Sequence, residues 1–316
     1  MHSQAEFNFV TGIIGDELEF AGISKEPFAE YLKRNVNEMS GGELKVVSVK
    51  MALEAAQDVV LLDEPLDMLD DEQSAMMAAY IAESAKQKPI IIATHDSHFD
   101  AYTDNIIRID SRESVPPFVP AKNGICGATN LSVRDLSVQL GERRFPKVSL
   151  ENRQGEILCL YGYNGSGKTL FIRTISGIGR WGYTGDYSWQ DRLSRGVCLQ
   201  FPEQMVYQET VAQEIADNAG AENIDNVLDI LGWQDKREHS PFSLSDGQKR
   251  TLYIISLLVK HQACVFDEPF AGLDQQSTNF IVQNFVEAQA RGVSILYTAN
   301  READTVYADR TVKIIK

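Results

Sequence analysis

The chain has 316 residues and is 43% apolar, which suffices for one large or two modest globular domains. Its net charge of −15 falls mostly on residues 1–115, which hold 22 Asp and Glu against 9 Lys and Arg. Such an acidic surface argues against nucleic-acid binding, because phosphates need basic side chains, and no nucleic acid is expected. It suits a basic protein partner or serves solubility as a solvated face.

Neither a membrane span nor a disulfide framework is predicted. No apolar run approaches the ~20 residues that cross a bilayer, and the first residues lack a signal-peptide pattern, so we expect a soluble cytoplasmic protein. Cys126, Cys159, Cys198 and Cys264 lack metal-ligand spacing, which predicts reduced thiols in apolar surroundings.

The first element with a chemical signature is the segment MSGGE at 39–43. Ser40 and Glu43 have the spacing of a helix capping box. The helix that they predict has free N–H groups and a positive dipole end at its start. Ser40, Gly41 and Gly42 therefore predict either an anion site, a simple helix cap, or both at once.

Two apolar runs follow and predict strands. VVLLDEP at 59–65 ends in Asp63 and Glu64, and IIATHD at 91–96 ends near His95. Residues 111–128 are rich in Pro, Gly and small residues, which indicates a linker. We therefore divide the chain into domains at 1–112 and 129–316, joined by a linker at 113–128.

The second domain carries a phosphate-binding loop. EILCLYGYNGSGKT matches G-x-x-x-x-G-K-[ST] behind a predicted strand and ahead of a helical pattern. Backbone N–H groups of such a loop surround a β-phosphate, its lysine reaches β and γ oxygens, and its hydroxyl binds Mg²⁺. The candidate nucleotide-binding residues are Gly162, Asn164, Gly165, Ser166, Gly167, Lys168 and Thr169.

Candidate catalytic residues follow the loop. ACVFDEP predicts a buried strand that delivers Asp267 to the Mg²⁺ shell and Glu268 to the attacking water. Gln200 ends the predicted strand GVCLQ, where it could sense both the metal and the water. The metal candidates are thus Thr169, Gln200 and Asp267.

The two halves of the chain are an internal repeat. MSGGE, VVLLDEP, MLD and IIATHD match LSDGQ, ACVFDEP, GLD and LYTANR in the same order. The serine and the aspartate of the acidic motif are 23 residues apart in the first copy and 22 in the second. The first copy has no counterpart of the phosphate loop and its strand.

These motifs resemble the ABC-type ATPases, over residues 129–316. The stretch LQFPEQMVYQETVAQEI more particularly resembles ATPases of energy-coupling factor transporters, which import vitamins and metal ions. The resemblance implies an α/β P-loop NTPase fold of ABC type, with one complete nucleotide-binding domain preceded by a partial one that lacks the Walker A strand and loop. It also implies ATP and Mg²⁺ as cofactors.

In that family, ATP lies between one half's phosphate loop and the other half's signature. The resemblance thus implies one composite site, in which Ser40, Gly41 and Gly42 face the loop at 162–169. Asn300 stands where the family has a switch histidine, as His95 does in the first copy, so we expect slow turnover. The base-stacking aromatic of the family aligns with Leu140, and Phe145 is its candidate substitute.

The predicted function is the ATP-hydrolysing subunit of an energy-coupling factor importer, peripheral on the inner face of the cell membrane. Its partners would be integral membrane subunits with basic coupling helices, and a second ATPase subunit or self-association is possible. The candidate acidic contacts are Asp16, Glu17, Glu19, Glu203, Glu209 and Glu214.

The alternatives are a soluble tandem ABC protein that acts on ribosomes or DNA, and a hydrolytically weak regulatory half. The partial first half is explained either by N-terminal clipping of a tandem ATPase or by another polypeptide that supplies the missing piece.

Overall fold

The structure is a computed structural model that describes residues 9–36, 39–55, 58–94, 97–103, 105–107, 115–121, 127–179 and 181–314, without the side chains of residues 203 and 204. The chain forms two compact units, residues 1–113 and 114–316. Within the described residues, no helix is long and apolar enough to cross a membrane.

In its described residues, the first unit combines three α-helices with a small parallel sheet. Its helices are α1 (Ile14–Phe20), α2 (Gly41–Glu54) and α3 (Asp71–Ser84), and its strands are β1 (Val60–Asp63) and β2 (Ile90–Ala93). The two strands are parallel, and Asp63 lies opposite Ala93. Val60 and Leu62 pack on Met77 and Ile81 of α3, so one face of the sheet is buried.

The opposite face of this sheet is open in the described part of the first unit. Leu61 is 60% exposed and Ile91 is 62% exposed. Their partners in the repeat, Val265 and Leu296, are at most 1% exposed. In the second unit a further strand layer and a helix cover that face, and the described residues of the first unit form no such layer.

The second unit is built on a five-stranded parallel sheet. Its strands, in spatial order, are β11 (Arg310–Lys313), β6 (Ile157–Tyr161), β10 (Ser294–Ala299), β9 (Ala263–Phe266) and β8 (Arg195–Cys198). These strands are short, and β6, β9 and β10 are apolar and fully buried, as expected for a parallel sheet that is covered on both faces. The predicted α/β class is confirmed.

A second, antiparallel sheet covers one face of the parallel sheet. It contains β3 (Thr129–Leu140), β4 (Arg143–Arg144), β5 (Val148–Arg153) and β7 (Gly182–Trp189). Its apolar residues pack with α4 (Lys168–Ile175) against Val265 and Leu296. The other face packs on α5 (Val211–Ala219), α6 (Ile224–Leu231), α7 (Asp246–Lys260) and α8 (Gln275–Ala290).

Part of the predicted linker is held by the second unit. Residues 115–121 form neither helix nor strand. The backbone N–H of Phe118 donates to Asn279 Oδ1 on α8, and Asn279 Nδ2 donates to the carbonyl of Pro116, both at 2.8 Å. The division into domains at 1–112 and 129–316 stays a prediction.

The repeat extends to buried hydrogen bonds. The carboxylate of Glu17 accepts the backbone N–H groups of Val10 and Thr11, and that of Glu214 accepts those of Tyr207 and Gln208. The two glutamates are 3% and 1% exposed. The prediction that they are surface contacts for a partner is therefore wrong, because each holds its own loop instead. Asp16, Glu19 and Glu209 are exposed, and the side chain of Glu203 lies outside the described residues.

Candidate functional site

The phosphate loop connects β6 to α4. β6 ends at Tyr161, and α4 begins at Lys168. Gly165 and Gly167 have φ values of 72° and 97°, a left-handed conformation that residues with a Cβ avoid. The sequence requires glycine here because this conformation turns successive N–H groups toward one point at the helix start.

Lys168 is folded back over this loop. Its Nζ donates to the carbonyl of Gly162 at 2.7 Å and to that of Tyr163 at 3.3 Å, and it lies 3.3 Å from Glu268 Oε1. The side chain is only 4% exposed. A buried ammonium needs such partners, and each of them can be exchanged for phosphate oxygens of equal or greater charge.

The two carboxylates at the end of β9 differ in their contacts. Asp267 Oδ1 accepts from the Thr298 hydroxyl at 2.6 Å, and Glu268 lies at φ 49° with its backbone N–H on the Thr298 Oγ1. Burial raises the pKa of both carboxyl groups above their ordinary values. The hydrogen bond from Thr298 opposes the shift for Asp267, and the charge of Lys168 opposes it for Glu268.

Gln200 and Asn300 complete the constellation. Gln200 Nε2 donates to Glu268 Oε2 at 3.2 Å, across 68 residues of sequence. Asn300 follows β10, and its Nδ2 lies 3.4 Å from Asn164 Oδ1 in the phosphate loop. The structure thus brings the candidate nucleotide-binding, metal-binding and catalytic residues of the second unit together at one edge of the parallel sheet. Their roles in catalysis stay predictions.

The residues near Asp267 fit a divalent cation. Asp267 Oδ2 is buried and has no hydrogen-bond partner among the described residues, and the same holds for Ser166 Oγ in the loop. Buried polar atoms without partners are uncommon, and a bound cation would satisfy the Asp267 oxygen. A carboxylate oxygen beside a threonine hydroxyl is the hard oxygen donor set that Mg²⁺ takes together with substrate phosphates.

A cation–π pair lies beside the loop. The Arg143 guanidinium is 4.7 Å from the centre of the Phe145 ring, and its Nη2 donates to the carbonyl of Gly165 at 2.7 Å. A Cβ on Gly167 would lie 2.5 Å from the Phe145 ring, so the ring contacts the loop directly. Leu140 is 48% exposed. Phe145 thus contacts the loop, whereas base stacking by Phe145 stays a prediction.

The two signature segments begin helices as predicted. Ser40 Oγ accepts the N–H of Glu43 at 3.3 Å, and Glu43 accepts the N–H of Ser40 at 2.9 Å. Ser245 and Gln248 form the same reciprocal pair at 3.3 and 3.0 Å. Both capping boxes are observed. Anion binding by Ser40, Gly41 and Gly42 stays a prediction.

The acidic motif of the first unit has the same backbone conformation as that of the second unit. Glu64 lies at φ 44°, like Glu268, and its Oε2 accepts from the Thr94 hydroxyl at 2.9 Å. Met68 occupies the left-handed conformation that Gly272 has in the second unit, with φ values of 67° and 70°. His95 lies outside the described residues.

Sequence reasoning missed Thr298 and Arg250. Thr298 bonds both acidic residues of the motif, and Arg250 donates to backbone carbonyls near Gln200 and Glu268. The signal for Thr298 was its place at the end of the strand that precedes Asn300. Arg250 carried none, because its partners are 50 and 21 residues away.

Comparison with known proteins agrees with this geometry. The fold and the loop define a P-loop nucleotide-binding protein of the α/β class. The family model "ABC transporter" matches residues 145–271. The energy-coupling factor transporter ATP-binding protein EcfA2 of Streptococcus sanguinis is 30% identical over 200 residues, which are 54% of this chain and 72% of that protein. The chain therefore belongs to the ABC transporter family of ATP-binding proteins.

Longer relatives and solved structures match as well. An ABC transporter ATP-binding protein of Methanosarcina mazei is 24% identical over 89% of this chain and 66% of its own length. Among solved structures, RNase-L Inhibitor covers 98% of this chain with a TM-score of 0.64 and 19% identity, over 67% of its own length. CbiO1 from Clostridium perfringens, part of the complex cbiONQ, covers 59% of this chain and 84% of its own, with a TM-score of 0.51 and 22% identity. The Methanosarcina mazei protein and two further ABC transporter ATP-binding proteins are longer than this chain, which spans 60–66% of their lengths.

Proposed function

We propose that the chain is the ATP-binding and hydrolysing subunit of an importer of the energy-coupling factor kind. The observation that carries the proposal is the convergence of Lys168, Glu268 and Gln200, each within 3.3 Å of the next, beside the loop. The name of the relative from Streptococcus sanguinis supports the subfamily.

The residues of the second unit divide the work. The loop N–H groups and Lys168 bind the β- and γ-phosphates, so Lys168 leaves Glu268 when ATP binds. Glu268, once released, accepts a proton from the attacking water at a carboxylate oxygen, and Gln200 orients that water. Thr169, Gln200 and Asp267 would hold Mg²⁺, which supplies charge neutralisation on the phosphates.

The other face of the nucleotide is assigned to the first unit. In this proposal Ser40, Gly41 and Gly42 bind the γ-phosphate at the start of α2. The assignment is supported by the repeat, in which Ser40 matches Ser245, and by the pairing of halves in the family. Asn300 in the switch position makes turnover slow, because an amide cannot take up a proton as an imidazole can.

The proposal includes partners and a location. Basic coupling helices of integral membrane subunits would contact the acidic surface, and the chain would be peripheral on the inner face of the cell membrane. Asp16, Glu19 and Glu209 remain as exposed acidic candidates. A second ATPase subunit or a second copy could pair with the chain.

Hydrolysis is tested with the purified chain. We expect ATP hydrolysis that is lost on Glu268→Gln while ATP binding persists, and Glu287→Gln, an exposed carboxylate on α8, serves as the control. Binding without hydrolysis in the unsubstituted chain would favour a regulatory role. The absence of ATP binding would overturn the proposal.

A second candidate is a soluble tandem ABC protein. It is favoured by the two-unit architecture, since RNase-L Inhibitor matches 98% of the chain. At 19% identity this likeness concerns the fold alone. Co-purification from cells separates the candidates. Membrane subunits in the eluate support the importer, whereas ribosomal subunits support the tandem protein.

A further inference from the structure

The side chain of Arg250 joins two loops of the candidate site. Arg250 is the fifth residue of α7 and is 6% exposed. Its Nη2 donates to the backbone carbonyl of Gln200 at 3.1 Å, and its Nη1 donates to the carbonyl of Ala271. One guanidinium therefore contacts the segment after β8 and the turn after β9.

Each of the two contacts is linked by one further bond to a candidate catalytic side chain. The carbonyl that Arg250 binds belongs to Gln200, whose amide donates to Glu268. The N–H of Ala271 donates to the carbonyl of Glu268 at 3.2 Å, so the turn that Arg250 holds begins at Glu268. Glu268 is a non-glycine residue at φ 49°, and surrounding contacts must hold it in that sparsely populated conformation.

The chemistry of arginine suits this position. Its guanidinium is planar and presents N–H groups in fixed directions, so it can bind two carbonyls at a set separation. A lysine ammonium is a compact charge on a flexible stem and does not fix that separation. The repeat contains such a change, because Lys45 follows Ser40 by five residues as Arg250 follows Ser245, and Lys45 is also fully buried.

We propose that Arg250 is a positioning residue that fixes the backbone of Gln200 relative to the turn after Glu268. The side chains of Gln200 and Glu268 are thereby both placed at the attacking water. The inference rests on the proposed function for its catalytic part. Arg250 does not touch the nucleotide in this account. It acts through Gln200 and Glu268, and it ties both to the helix that begins at Ser245.

The first test measures local order without nucleotide. Hydrogen exchange of the full chain is compared with that of Arg250→Lys, the residue that the first unit carries. We expect faster exchange in residues 199–202 and 268–273, with unchanged exchange in α8. Arg291→Lys, which removes a 3.3 Å bond to the carbonyl of Leu258 away from the site, is the matched control. Unchanged exchange in both loops would overturn the proposal, whatever the activity.

The second test is a double-mutant cycle on turnover. Arg250→Lys should lower kcat by about tenfold, with the Kd for ATP within about twofold, since only the transition state needs both side chains in place. In a Gln200→Ala background the same change should lower kcat by clearly less than tenfold, because one of the two side chains that Arg250 positions is gone. Equal losses in both backgrounds, or an unchanged kcat, would contradict positioning through Gln200.

The two tests separate the inference from the proposed function. A chain that binds ATP but never hydrolyses it refutes the proposed hydrolysis and leaves the exchange experiment to decide on Arg250. If Arg250→Lys does not fold, Arg250→Gln, which keeps one donor group, takes its place. In Arg250→Gln we expect slow hydrogen exchange in one of the two loops only. Slow exchange in both loops would overturn the proposal.

Discussion

At the scale of single residues, two opposing effects act on the pKa of Glu268. Burial raises its pKa above the ordinary 4.5, while Lys168 at 3.3 Å favours the carboxylate. The folded state therefore binds a proton more readily than the unfolded chain does. A charged Glu268 in the folded state thus opposes stability, and this effect grows as pH rises from about 4.5 through the folded pKa.

This predicts a pH-dependent effect of Glu268→Gln on stability. The free energy of unfolding of Glu268→Gln, relative to that of the unsubstituted chain, should rise with pH by up to about 1.4 kcal/mol per pH unit, because only the unsubstituted chain must ionise this buried carboxyl. Tryptophan fluorescence in urea measures it, since Trp181, Trp189 and Trp233 all lie in the second unit. A difference that stays constant from pH 4.5 to 8 would contradict the prediction.

Asn300 carries a second prediction at this scale. It is 5% exposed and follows β10, close to Asn164. Asn300→His restores an imidazole that can hold and release a proton, so we expect at least a tenfold rise in ATP turnover with unchanged ATP affinity. Asn284→His on α8 is the control. Unchanged turnover with intact binding would refute this explanation of slow hydrolysis.

At the scale of elements, the phosphate loop was predictable because its signals are local. Glycine, lysine and threonine at fixed spacing after an apolar run specify a strand, a turn and a helix without distant contacts. The approach of Gln200 to Glu268 depends on the order of strands in the sheet, and Arg250 was missed for the same reason. The prediction that Glu17 and Glu214 are exposed was wrong, because nothing in a local polar pattern shows that a carboxylate is buried and accepts hydrogen bonds from backbone N–H groups.

The antiparallel sheet also lay beyond local signals. β7 is largely exposed, so it lacks the apolar alternation that marks a half-buried strand. Its place is set by pairing with β3, about fifty residues earlier along the chain. Register over such separations depends on tertiary contacts that no short pattern contains.

Two glycines give a matched test of the loop. Gly167→Ala places a Cβ 2.5 Å from the Phe145 ring at φ 97°, so the loop must shift and the Kd for ATP should rise at least tenfold. Gly177→Ala introduces similar backbone strain at φ 72° with nothing within 4 Å. It should cost about 1 kcal/mol of stability without changing the Kd. Calorimetry with ATP measures both, and equal effects on the Kd would show that the loop geometry is not what matters.

At the scale of the whole molecule, the repeat is built unequally. The second unit buries both faces of its parallel sheet, whereas Leu61 and Ile91 are exposed in the first. Covering such side chains stabilises a protein by about 1.5–3 kcal/mol each.

Under the proposed function, the first unit supplies the second face of an ATP site whose phosphate loop lies in the second unit. Ser40→Ala and Ser245→Ala provide the most direct measurement, because both remove a capping-box hydroxyl at a cost of about 1 kcal/mol to their own helices. ATP hydrolysis by the full chain should fall at least tenfold with Ser40→Ala and less than twofold with Ser245→Ala, because the 316 residues hold one phosphate loop. An equal loss in both variants, or a loss with Ser245→Ala alone, would contradict the claim.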